Sequence, residues 1–207
     1  MIAFTLDRLV DTINRAARVI PTWAIYIVYL IPVPVLLYLG MTGGLGREPI
    51  RELEHELGEI ALQLLIIGLC LSPLRRFAGI NLLKFRRTMG LLAFTYVVLH
   101  FTVWAVLDVQ ALDRVWQDIL KRPYITIGMA ALALMIPLAV TSNNLAMRNM
   151  GAVWRKLHLL TYPIALLAAV HFVWLSKGFQ LEPLIYLAVV LGLLALRVPG
   201  LRKKAAA

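Results

Sequence analysis

Six stretches of predominantly apolar residues recur along the chain, at 23–41, 60–74, 88–107, 124–141, 153–175 and 183–196. Crossing roughly 30 Å of hydrocarbon takes about 20 such residues in a helix. In lipid the backbone of each segment must satisfy its own hydrogen bonds, which directs every stretch to an α-helix. The expected fold is therefore an all-α bundle of six transmembrane helices. A 61% hydrophobic content over 207 residues and a mean hydropathy of +0.81 set the chain apart from soluble domains.

The second stretch is short, and residues 53–57 extend it by a turn if Glu56 and Glu59 lie near the interface. Gly40, Gly43 and Gly44 close the first stretch, and Pro73 marks the end of the second. The connections are short, and neither an internal repeat nor a composition shift divides the chain. Residues 1–22 carry Asp7, Arg8, Asp11, Arg15 and Arg18 with no cleavage pattern after the first span, so they read as a retained interfacial helix. The expected organisation is this segment, a helical domain over 23–196 and a basic tail over 197–207.

Charge orients the bundle. The N-terminus, the alternate connections 72–87 and 142–156 and the tail hold 15 of the 21 Lys and Arg residues but only two of the 11 acidic ones. Short cytoplasmic segments are enriched in Lys and Arg, so both termini are expected in the cytoplasm. The net charge of +10 follows from that topology and from anionic lipid headgroups, which removes the reason to invoke nucleic acid. Cys70 has no partner cysteine in the sequence and reads as a small core residue.

His100, His158 and His171 lie inside these apolar stretches, where titratable groups mark function. At 1.5 Å per residue, His100 lies about 18 Å from the inner start of its span and His171 about 27 Å from the inner start of its own. Both fall in the outer half of the bilayer. Two imidazoles on different helices at matched depth suit a haem held between helices, whereas each histidine alone is equally compatible with a hydrogen bond to a neighbouring helix. Zinc or copper would require more closely spaced ligands, and the chain has no Cys-x-x-Cys-His attachment motif.

His158 lies roughly 20 Å below His171, and on an ideal helix its side chain is rotated by about 140° from it. Trp154, His158 and Tyr162 share a face at four-residue spacing. That stripe suits either a planar cofactor or ordinary packing.

The motifs GGLGREP, HELGEIAL, LSPLRRF, FRRTMGLLAFTYVVLHF, KRPYITIGMAAL, TSNNLAMRNMGAVWRKLHLLTY and HFVWLSKG occur in this order. Together they resemble the MsrQ family, haem-containing membrane subunits of bacterial periplasmic methionine sulfoxide reductase systems, themselves similar to the membrane core of NADPH oxidases and ferric reductases. The resemblance implies haem b ligated by His100 and His171. It also implies location in the bacterial inner membrane, with electrons passing outward to the periplasmic molybdenum-cofactor subunit MsrP. The implied donor is the quinone pool or a cytoplasmic flavin reductase, and FMN is associated with the family.

One departure separates the chain from the NADPH oxidase pattern of two histidines on each of two helices. The third span has no inner histidine and offers Arg86 and Arg87 instead. His158 is thus open to a second haem with another ligand, to a flavin or quinone contact, or to a structural role. Arg75, Arg76, Arg86, Arg87, Arg155 and Lys156 suit a phosphate or haem propionate, or the positive-inside bias alone. His55 and Lys177 are candidate outer-rim contacts. The expected activity is electron transfer, with substrate chemistry on a partner. A self-contained ferric reductase or oxidase would carry a further flavin and nicotinamide domain, and a transporter would show broken helix pairs.

Overall fold

The computed structural model describes residues 2–176 and 180–197, and all regular structure among them is helical. The first helix, α1 (Ile2–Val19), precedes the apolar segments. Next come α2 (Thr22–Leu30) and α3 (Pro32–Thr42), which form one apolar rod with a break at Ile31. Pro32 and Pro34 lack the N–H groups that would carry the ladder through, and the hydroxyl of fully buried Tyr96 donates to the Tyr29 carbonyl at 2.5 Å beside the break. Gly43, at φ 81°, ends the rod in the left-handed conformation.

The central helix, α4 (Pro49–Phe77), is 29 residues long. It begins well before the apolar stretch at 60–74, because Pro49 starts it and the polar segment through Glu59 continues the same helix. Pro73 does not end it. A proline leaves the carbonyl four residues earlier without its helical donor, and here the Leu69 carbonyl accepts from the guanidinium of Arg197 instead. Arg197, expected in the basic tail, is thus inserted between helices, and the rest of that tail lies outside the described residues.

Against α4 packs α5 (Arg86–Thr102), entered through a 3-10 turn at Leu83–Phe85 and continued by a π-helical segment, Val103–Val109. Leu57, Ala61 and Leu64 of α4 interlock with Leu92, Ala93 and Tyr96 of α5 to form the main core. The connection that follows is not a simple loop, since it contains α6 (Leu112–Lys121). Then come α7 (Pro123–Val140), the short α8 (Asn144–Met150) and α9 (Ala152–Leu157). A 3-10 turn at His158–Leu160 leads into α10 (Thr161–Leu175). Pro163 supplies no N–H to the Leu159 carbonyl, which is why the expected single span 153–175 bends at His158. Ala165 and Ala169 let α10 approach α4 and α11 (Leu181–Ala195) closely.

Five segments are long and apolar enough to cross a membrane: Thr22–Thr42, Pro49–Phe77, Leu83–Val109, Pro123–Val140 and Ala152–Leu175. The sixth expected span is α11, an apolar helix of 15 residues, or about 22 Å. The outward surfaces of α2, α3 and α11 expose Ile27, Val28, Leu37, Ile185 and Leu191, as lipid-facing helices do.

Candidate metal centre

His100 on α5 and His171 on α10 are brought together edge-on, with ring centroids 6.4 Å apart and planes at 81°. Each ring is oriented in the same way. His100 Nδ1 donates to the Glu54 carbonyl on α4 at 2.8 Å, and His171 Nδ1 donates to the Tyr124 carbonyl on α7 at 2.7 Å. Fixing the proton on Nδ1 leaves the Nε2 lone pair for a ligand, the outer-shell arrangement of metal-binding histidines.

Two glycines make these positions accessible. A Cβ at Gly58 of α4 would lie 3.0 Å from His100 Nδ1, and a Cβ at Gly128 of α7 would lie 3.0 Å from His171 Cε1. Any larger residue would push the rings away from the carbonyls that hold them. Sequence reasoning did not single out these glycines or the two carbonyls. Their signal lay in the quoted motifs HELGEIAL and KRPYITIGMAAL, but a glycine in an apolar helix does not disclose what faces it.

The pair fits a haem. Two imidazoles from different helices lie 6.4 Å apart between ring centroids, each with Nδ1 committed to a carbonyl, so both Nε2 atoms would be available to hold a haem iron. Among the described residues no three His, Cys, Asp or Glu side chains converge as metal ligands. Two imidazoles suffice where the bound group brings its own in-plane nitrogens.

A cavity lies apart from this pair, at the end of the bundle where α5 begins. His158, Trp154, Tyr162, Arg86, Arg87 and Arg155 line this cavity, of about 590 Å³, so the structure gathers most of the residues expected there. Lys84, Gly68 and Gly90 also line it, whereas Arg75, Arg76 and Lys156 are not among its walls. Trp154 stacks on His158 with centroids 3.9 Å apart, and its Nε1 donates to the Thr141 carbonyl at 2.9 Å. His158 Nδ1 donates to the Trp154 carbonyl at 3.1 Å, and Nε2 lies 3.4 Å from Ser142 Oγ. Arg197 sits over the Tyr162 ring at 5.3 Å.

At the outer rim, exposed His55 meets Phe172 edge-on at 5.4 Å, one residue from His171. Lys177 lies outside the described residues.

Residues 24–169 match the family described as ferric reductase like transmembrane component. A protein of Agrobacterium fabrum named protein-methionine-sulfoxide reductase heme-binding subunit MsrQ is 45% identical over 177 residues, covering 85% of this chain and 82% of its own length. Its namesake from Brucella ovis is 45% identical over 185 residues, covering 88% and 84%. No solved structure matches. The chain belongs to the ferric reductase like transmembrane family and, within the reach of these alignments, to the MsrQ proteins.

Proposed function

We propose that this chain is a transmembrane electron-transfer subunit of the bacterial inner membrane, serving a periplasmic methionine sulfoxide reductase through haem b. The observation that carries the reading is the pair His100 and His171, each with Nδ1 tied to a carbonyl of another helix. When bound, haem b supplies a one-electron couple. The chain's residues do the rest. His100 and His171 would hold the haem iron, the Glu54 and Tyr124 carbonyls fix the orientation of the two rings, and the surrounding apolar side chains exclude water.

The inner cavity is the electron-uptake site in this reading. His158 presents Nε2, Trp154 and Tyr162 supply flat walls, and Arg86, Arg87 and Arg155 attract a propionate or phosphate. A second haem, FMN and a quinone share the required planarity, and the haem-to-protein ratio distinguishes the first from the others. The donor is the quinone pool or a cytoplasmic flavin reductase. On the outer side, exposed His55 borders the path to the molybdenum-cofactor partner MsrP. The basic inner segments support cytoplasmic termini, and α11 serves as the sixth crossing.

Proteoliposomes with an enclosed reductant and an impermeant one-electron oxidant outside test the proposal. We expect outward electron transfer that His100→Ala abolishes. A colourless, haem-free preparation from haem-replete cells overturns the reading.

A further inference from the structure

A carboxylate lies within the membrane-spanning helix α4, about 15 Å along it from Pro49. Glu59 Oε1 accepts from Gln63 Nε2 at 2.8 Å and from the Tyr186 hydroxyl of α11 at 2.9 Å, and Gln63 Nε2 also reaches the Tyr186 oxygen at 2.9 Å. All three groups are half-buried. Two donors converging on one oxygen suit an ionised acid, and among the described residues none of the ion pairs includes Glu59. A carboxylate in a membrane-crossing helix is costly and marks function by default.

Its position relates it to the metal centre. Glu59 directly follows Gly58, the residue against which the His100 ring packs. Its partner Tyr186 lies 5.7 Å from the ring of Phe172, the residue after His171. The carboxylate is thus one residue from the glycine against which the His100 ring packs, and its partner Tyr186 meets the residue that follows His171. The field of Glu59 reaches the space between the two imidazoles.

We propose that Glu59, held by Gln63 and Tyr186, is a fixed negative charge that lowers the reduction potential of the centre between His100 and His171. A nearby negative charge favours the oxidised, more positive iron, so the centre gives up its electron outward more readily. The inference rests on haem occupying that pair. At a separation of about 10 Å and an effective dielectric of about 20, removing one charge changes the electron-transfer equilibrium by roughly tenfold, or about 59 mV for one electron. Glu59 is a positioning residue in this scheme, acting through its field.

The test is a redox titration of the haem-loaded protein, followed by its absorbance, for wild type, Glu59→Gln, Glu59→Ala and Glu59→Asp. Glu59→Gln keeps the shape and an acceptor while removing the charge, and Glu59→Ala is a second charge-removing variant. We expect both to retain the wild-type absorbance spectrum with the potential raised by about that amount, and Glu59→Asp to titrate like wild type. An unchanged potential in both charge-removing variants overturns the proposal, as does a shift in Glu59→Asp equal to that in Glu59→Gln. Loss of haem from both charge-removing variants also overturns it, because the carboxylate would then serve assembly. Absence of haem from wild type would instead defeat the underlying functional reading, so the two failures are distinguishable.

Discussion

At the scale of single residues, the centre is built by what does not protrude. The imidazoles of His100 and His171 occupy space that a Cβ at Gly58 or Gly128 would contest at 3.0 Å, and their Nδ1 hydrogen bonds leave both Nε2 atoms free of the carbonyls. Loss of such an outer-shell restraint typically weakens metal binding 10- to 100-fold. We expect Gly128→Ala to retain haem at least about tenfold more weakly than wild type, measured as the haem-to-protein ratio, with helical circular dichroism unchanged. A wild-type ratio would refute the role assigned to that glycine. The histidines were legible in the sequence because imidazole is conspicuous among apolar residues. The glycines and the Glu54 and Tyr124 carbonyls were not, since close approach and backbone hydrogen bonds depend on which helices become neighbours. Glu59 shows the same limit. The sequence placed it near the interface but did not disclose its partner Tyr186, 127 positions away.

Whole elements departed from expectation where a side chain repaired a local break. Pro73 reads as a stop signal, and α4 passes it because Arg197 satisfies the orphaned Leu69 carbonyl. Arg197→Ala leaves that carbonyl without its donor. An unsatisfied buried polar group costs about 1–3 kcal/mol, so thermal unfolding in detergent is expected at a lower temperature, whereas an unchanged midpoint would show that lipid-side water or another donor replaces the guanidinium. The connection after the third span held a different surprise. In α6 one side packs Val115 and Ile119 against Trp104 and Ile125, while Leu112, Trp116 and Leu120 form an exposed stripe. That helix joins two spans, and in the proposed topology the stripe is expected to lie in the outer leaflet's interface, where tryptophan is favoured. In a variant whose only tryptophan is Trp116, lipids brominated near the headgroup should quench its fluorescence strongly. Emission unaffected by them would place α6 in water. The sequence lists Leu112, Trp116 and Leu120 at four-residue spacing, but the short polar segment around them read as a connection.

For the molecule as a whole, hydropathy and charge were the most legible features, because the bilayer imposes them on every segment. They directed the chain to apolar helices, and five of the six expected crossings are long enough to span. The sixth, α11, is shorter than hydropathy alone suggested, and its place in the bundle depends on contacts of Val190, Tyr186 and Arg197 with α4 and α10. The depth argument placed His100 and His171 together and His158 apart, and the structure has that division: one edge-on pair and one aromatic-walled cavity at the end of the bundle where α5 begins. The proposed direction, with uptake at the basic cavity and release at the histidine pair, rests on that division together with the positive-inside charge pattern. Single cysteines placed at Gln117 and at Arg148 in a Cys70→Ser background should react with an impermeant thiol reagent from opposite sides of the membrane, Gln117 from the periplasm. Labelling of both from one side would contradict the topology. The central claim, that His100 and His171 hold haem b, is tested most directly by the reduced-minus-oxidised absorbance spectrum of the purified protein with either histidine replaced by alanine. The low-spin haem b signal of the outer centre should disappear in both variants, and its persistence at wild-type intensity in both would contradict the account.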